Sequence, residues 1–279
     1  MDYIKYSILG LVQGLTEFLP VSSSGHLAIF KKILGDDFAN LGLTYDILLH
    51  LATLIAVFCV YYRDIWALIT GFFALVRDIF KGKVNLKENP NQKFVIMVII
   101  ASVPAALIGI LLGDAIESLP FIFVGFALLI TAFELFFVSR VKEGNITLEN
   151  AKIKDGILPG LFQGLAILPG ISRSGSTITG ALLSGYKREF AVKFSFIMSI
   201  PVILGSALFD IIDIIKGASD APLWGPTAVG MIVAAVSGYL SIKFMIKLIT
   251  DNKFKYFAYY CGIVGTAVIA VIIWQLILS

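Results

Sequence analysis

Gly10-Leu11-Val12-Gln13-Gly14-Leu15-Thr16-Glu17-Phe18-Leu19-Pro20-Val21-Ser22-Ser23-Ser24-Gly25-His26 is the stretch on which the organisation of the chain turns. It lies inside an apolar segment from Tyr3 to about Leu34, and Pro20 through Gly25 breaks that segment. Each half is about 12–17 residues, at or below the length a membrane-spanning helix needs. Short apolar halves around a Pro/Gly/Ser break predict a re-entrant helix–loop–helix hairpin over about 3–34. The competing reading is one or two ordinary spans.

The stretch has a counterpart. Gly160-Leu161-Phe162-Gln163-Gly164-Leu165 matches Gly10-Leu11-Val12-Gln13-Gly14-Leu15 at an offset of 150 residues. Pro169 then follows, and Ser172-Arg173-Ser174-Gly175 stands where Ser22-Ser23-Ser24-Gly25 stands in the first copy. A second hairpin is therefore expected over about 156–184.

Outside the two broken segments, six runs are long and apolar enough to span: about 43–62, 94–113, 121–139, 190–215, 226–246 and 256–278. Ile65–Phe80 is shorter and reads as a separate interfacial helix. Composition agrees: 58% of the 279 residues are hydrophobic and only 15% charged, against about 25% charge in a soluble domain. A coiled coil, a collagen-like repeat and a disordered chain are excluded, and a soluble globule is disfavoured. The expected fold is an all-α polytopic membrane protein in one integral membrane domain. Residues 1–150 form one repeat and 151–279 the other, each a hairpin plus three spans. Three is odd, so the second repeat is expected to be inverted in the membrane.

Charge position orients this arrangement. If both hairpins return to the side they entered, 17 of the 22 basic residues fall on one side, among them Arg63, Lys83, Lys87, Arg140, Lys154, Arg188 and Lys247. The opposite loops carry Asp36, Asp37, Asp114, Glu117 and Asp220, with Lys216 as the exception. The positive-inside rule then places both termini outside, the first hairpin entering from outside and the second from inside. The net charge of +3 is too small to suggest a nucleic-acid partner. Cys59 and Cys261 lie in apolar runs and read as small buried hydrophobes. Met1-Asp2-Tyr3-Ile4-Lys5 has no basic leader region and reads as mature sequence.

Ionisable groups at membrane depth are expensive, so those within apolar stretches are functional candidates: Glu17, His26, Asp46, His50, Glu134 and Arg173. Gln13 and Glu17 are four apart and share a helix face. A helix beginning near Ser24 and another beginning within Ser172–Thr177 would turn their N-termini, which favour anions, toward one site. Arg173 suits bidentate contact with phosphate oxygens. Ser22, Ser24, Ser172, Ser174, Ser176 and Thr177 supply hydroxyls, although helix capping alone explains one or two of them. Glu17 could hold a divalent cation, move a proton or pair with Arg173. His26 is either the nucleophile or the base that deprotonates Ser23, unless it merely caps a helix. Asp46 and His50 are expected to line the cavity behind these groups. Glu134 reads as an interhelical carboxyl with a hydrogen bond.

Gln13 through His26 resembles the glutamate-rich motif of the bacterial undecaprenyl-diphosphate phosphatases, the bacitracin-resistance protein family. Pro169-Gly170-Ile171-Ser172-Arg173-Ser174-Gly175-Ser176-Thr177 is similar to that family's second signature, and the likeness runs along essentially the whole chain. The resemblance implies hydrolysis of undecaprenyl diphosphate to undecaprenyl phosphate in the bacterial plasma membrane. It implies a divalent cation (Mg2+ or Ca2+) and a site open to the outer face. Glu17, Ser23, His26, Ser172, Arg173, Ser174 and Thr177 map onto its motifs, and Glu17, Ser23, His26 and Arg173 are the expected catalytic residues. Gln13 stands where many members have Glu, which puts a two-carboxylate metal site in doubt. The expected partners are a polyprenyl diphosphate and membrane lipid, and a homodimer is one option for the assembly. Type-2 phosphatidic-acid phosphatases share Ser-Gly-His but need a second histidine after the arginine, and no histidine follows Arg173. The alternative function is a transporter or flippase of a phosphorylated lipid or small anion, which inverted repeats with broken helices also suit.

Overall fold

The computed structural model describes residues 2–35, 43–86, 88–215 and 223–278. Among the described residues it is helical, with one isolated bridge between Ile146 and Tyr186 and no β-strand. Asp36, Asp37, Lys87, Lys216 and Asp220 lie outside the described residues. Among the described residues, five helices are long and apolar enough to cross a membrane, and Ile122–Val138 is a shorter apolar one. The apolar composition is used outward as well as inward. Leu111 is 74% exposed and Phe133 71%, a surface that only lipid would cover without cost.

The first apolar segment forms α1 (Asp2–Phe18) and α2 (Ser23–Leu34), broken before Pro20 where a helix cannot continue. The first full-length run forms α3 (Leu43–Phe80). It is two helices joined across a kink at Tyr61, whose angles are non-helical (φ −109°, ψ 26°): the span before the kink and, as the sequence predicts, a separate helix that includes Ile65–Phe80. Just past the kink, Lys193 Nζ engages Asp64 at 3.0 Å. Next come α4 (Pro90–Glu117) and α5 (Ile122–Val138). Pro90 stands at the first position of α4, where its missing N–H costs nothing.

A 3-10 turn (Ile153–Gly156) leads into α6 (Ile157–Leu165), and α7 (Arg173–Leu183) follows the second break. The chain closes with α8 (Arg188–Ile215), α9 (Trp224–Thr250) and α10 (Phe254–Leu278). Asn252, at φ 56°, makes the turn between the last two, and its side-chain amide donates to Ser139 O at 3.0 Å.

The repeated glycines explain the closest packing. The most extensive helix pair is α1 on α9, and α6 packs on α4 in the same manner. A Cβ on Gly10 would stand 2.2 Å from the Gly230 carbonyl oxygen, and one on Gly14 2.5 Å from that of Ala234. In the second copy, a Cβ on Gly160 would stand 2.7 Å from Ala101 Cα, and one on Gly164 2.9 Å from Ile108 Cδ1. Small residues four apart let two backbones touch, as membrane helix pairs require. Around these pairs, α5 lies against α10, α3 against α8 and α9, and α4 against α8. Cys261 is buried as expected, but Cys59 is exposed on the outer side of α3, because an apolar stripe facing lipid need not be covered.

Candidate active site

The two breaks meet. Ser22 caps α2 by accepting from Gly25 N at 3.2 Å, and Ser172 caps α7 by accepting from Gly175 N at 3.1 Å. Ser22 adopts φ 71°, rare for a residue with a side chain, and so sets the turn that presents Ser23. The loops then brace each other: Gly170 N donates to Ser24 Oγ at 3.3 Å, and Ser174 Oγ donates to Leu19 O at 3.1 Å. Gly170 has to be glycine, since its φ is 98° and a Cβ there would stand 2.7 Å from Val124 O. Thr131 on α5 completes the second loop by accepting from Ser172 N at 3.0 Å.

Glu17, at the end of α1 and 4% exposed, is the hub. Its Oε1 accepts from the Arg173 guanidinium. Its Oε2 accepts from Gln13 Nε2 at 2.8 Å and Ser23 Oγ at 2.7 Å, and His50 Nε2 approaches to 3.3 Å. A carboxylate at membrane depth is thereby surrounded by donors, two of them on groups able to carry positive charge. Arg173 is the first residue of α7, so the start of that helix aims it.

The structure brings Gln13, Glu17, Ser23, His50 and Arg173 together and places the other sequence candidates differently. His26 does not pair with Ser23. Its Nδ1 lies 2.7 Å from Ser22 O and its Nε2 2.7 Å from Tyr260 Oη, with the two rings stacked. Because a carbonyl only accepts, Nδ1 donates to Ser22 O, and with Nε2 hydrogen-bonded to Tyr260 Oη neither nitrogen faces Ser23. Ser22, Ser24, Ser172 and Ser174 are engaged in caps and braces, the bland role the sequence also allowed. Thr177 Oγ1 donates within α7 and meets Ser195 Oγ, and Ser176 Oγ donates to Glu134 Oε2 at 2.6 Å, the interhelical bond expected of Glu134. Asp46 stands back from the hub and takes Lys31 Nζ at 2.8 Å. Tyr260 and Thr131 carried no signal in the sequence, since one tyrosine or threonine in a span looks like any other.

Fold and site together define a multi-pass helical membrane protein whose polar centre is built where two broken helices touch. The chain belongs to the bacitracin resistance protein BacA family, whose model matches residues 6–267. It is 40% identical to the undecaprenyl-diphosphatase of Methanosphaera stadtmanae over 281 residues, which cover 98% of this chain and 100% of that one. It is 42% identical to the undecaprenyl-diphosphatase of Methanobrevibacter smithii over 276 residues (96% and 97% covered). With the undecaprenyl-diphosphatase of Bacteroides fragilis (strain ATCC 25285) it shares 40% over 278 residues (97% and 98% covered).

Proposed function

We propose that this chain is an undecaprenyl-diphosphate phosphatase, releasing inorganic phosphate and undecaprenyl phosphate. It thereby recycles the carrier lipid for cell-wall synthesis and confers bacitracin resistance. The observation that carries the chemistry is the Ser23–Glu17–Arg173 connection: a hydroxyl donating to a carboxylate that is itself held by a guanidinium.

Arg173 turns its fork to the diphosphate, a better bidentate partner than one carboxylate oxygen. Ser23 Oγ attacks the terminal phosphorus. The Oγ–P bond forms, the anhydride P–O bond breaks, and the Ser23 proton passes to Glu17 and from there to the departing lipid phosphate. Water then attacks the phosphoserine. Glu17 takes the water's proton and returns it to Ser23 Oγ as inorganic phosphate leaves. Transfer of this kind is governed by positioning and charge stabilisation, which is what Arg173 supplies. Glu17 replaces His26 as the proton acceptor favoured by sequence spacing, because Ser23 Oγ already donates to it. His26 instead fixes the start of α2 through Ser22 O and Tyr260.

The residues fit a divalent cation such as Mg2+ or Ca2+. Gln13 Oε1 is a buried oxygen without a hydrogen-bond partner, on the same helix face as Glu17. Among the described residues no cluster of three or more His, Cys, Asp or Glu side chains is placed to hold an ion, so diphosphate oxygens would complete the set, as is common for Mg2+. Glu17 and Gln13 would hold the ion, and it would neutralise diphosphate charge.

The architecture we infer is an inverted repeat with both termini outside and the site open to the outer face. Its support is the matched packing of α1 on α9 and α6 on α4, the matched caps at Ser22 and Ser172, and the sided basic residues. The deciding experiment is phosphate release from a prenyl diphosphate by purified protein, with and without chelator. Turnover that stops on chelation and returns with Mg2+ or Ca2+ supports the reading. Intact diphosphate moved across a vesicle without phosphate release would support the flippase instead.

A further inference from the structure

One face of α5 is given to the second break. Val124, Ala127, Thr131 and Glu134 lie three or four apart and so share that face. Gly170 packs directly on it, since a Cβ there would stand 2.7 Å from Val124 O and 2.8 Å from Ala127 Cβ. Thr131 Oγ1 bonds both ends of the turn: it accepts from Ser172 N at 3.0 Å and donates to Gly170 O at 3.4 Å. One turn further along α5, Glu134 Oε2 accepts from Ser176 Oγ at 2.6 Å. Two rungs thus join α5 to the start of α7, and Arg173 lies between them in the chain.

A threonine hydroxyl within a helix commonly donates to a carbonyl one turn back, as Thr16 Oγ1 does to Val12 O at 2.7 Å. Thr131 Oγ1 donates out of its helix, to a loop 39 positions away. Holding both ends of the turn takes a donor and an acceptor on one atom, which a hydroxyl has and the isosteric valine lacks. Thr131 is 0% exposed and Ser172 1%, so a lost partner here leaves a buried N–H unpaired. The mechanism above asks Arg173 to exchange Glu17 for the diphosphate. During that exchange the guanidinium is aimed from its own backbone, which follows directly on Ser172.

We propose that Thr131 is a positioning residue for the diphosphatase reaction: by holding Gly170 O and Ser172 N it fixes the turn that aims Arg173 at the diphosphate. The proposal rests on the diphosphatase reading. Thr131 makes no contact with substrate and acts through Arg173.

The test is phosphate release from a prenyl diphosphate in detergent micelles, read as kcat/KM. Wild type, Thr131→Val and Thr131→Ser are compared, each also on an Arg173→Ala background, with thermal unfolding measured alongside. Thr131→Val should lower kcat/KM by at least about tenfold, up to the roughly 100-fold that a misplacement of about 1 Å costs. Thr131→Ser, which keeps the hydroxyl, should recover at least about fivefold of that loss. On the Arg173→Ala background Thr131→Val should cost less than about threefold, because no guanidinium is left to misaim, whereas a general loosening of the fold would cost the same on both backgrounds. A Thr131→Val value within about threefold of wild type overturns the proposal, as does a loss that serine does not relieve or one that is equal on the two backgrounds. Wild-type protein that releases no phosphate overturns the diphosphatase reading and the proposal with it. Active wild type beside an unaffected valine variant overturns the Thr131 assignment alone.

Discussion

Glu17 and Arg173, 156 positions apart in the chain, form an ion pair across the two breaks. Glu17 ends the first half-helix of one hairpin, and Arg173 begins the second half-helix of the other. Neither hairpin contains the pair by itself, so this ion pair exists only when the two halves of the chain are assembled against each other.

Arg173→Ala should reduce turnover by roughly 100-fold or more, the usual consequence of removing a group that stabilises developing charge. Arg173→Lys should recover only part of this, since an ammonium cannot reproduce the fork. Turnover of folded protein, checked by size-exclusion chromatography, is the measurement. Near-normal activity in the alanine variant would refute the assignment.

Glu17→Gln preserves shape and removes the charge that holds Arg173 and accepts from Ser23. Activity should collapse, and added Mg2+ or Ca2+ should not restore it. Gln13→Glu exchanges a donor to Glu17 for a second carboxylate, so that variant should stay active and depend more steeply on cation concentration. A titration of rate against free Mg2+ distinguishes the two cases, and an unchanged cation dependence in an active Glu17→Gln protein would end the metal assignment.

Covalent trapping separates the nucleophiles. Rapid quenching with labelled substrate should leave phosphate on Ser23 as an acid-stable ester, and Ser23→Ala should show none. An acid-labile adduct on His26 would reverse this, although both nitrogens of that ring are already engaged. Tyr260→Phe should matter far less than Ser23→Ala, by about tenfold at most, because it loosens one anchor of His26 without removing a reacting group.

Gly10→Val should destabilise the protein by about 3 kcal/mol or more, since its Cβ would stand 2.2 Å from the Gly230 carbonyl oxygen and backbone cannot yield as a side chain can. A Cβ at Gly35 meets nothing within 4 Å among the described residues, so Gly35→Val serves as the comparison, in which the strain of a φ of 108° replaces a backbone clash. Thermal unfolding in detergent reads both, and equal shifts would argue against the close α1–α9 contact.

Topology is read by labelling single cysteines on a background lacking Cys59 and Cys261. Positions 36 and 220 should label from outside, and 83 and 150 from inside, the pattern required if each half has one returning hairpin and three crossings. Opposite sides for 83 and 150 would rule out the inverted repeat.

Much of this protein is legible in the chain itself. Breaks, spans and repeat follow from local rules: Pro20 stops a helix wherever it stands, and about twenty apolar residues make a span regardless of neighbours. The glycines at 10, 14, 160 and 164 announce close helix packing by their spacing alone. Glu17, Arg173 and His50 were marked by the cost of placing charge among apolar residues.

What the sequence determined, then, was which residues are too costly to be there by accident, because that cost is a property of each side chain and its nearest neighbours in the chain. Which of them touch was decided by the tertiary structure. Ser23 and His26 are three positions apart, and spacing made them a pair. Yet the φ of 71° at Ser22 and the crossing of the two breaks turn the serine toward Glu17 and the histidine toward Tyr260, 234 positions away. Hydrogen bonds are directional and short, so a partner is set by where helix packing carries a side chain, and no count along the sequence contains that information.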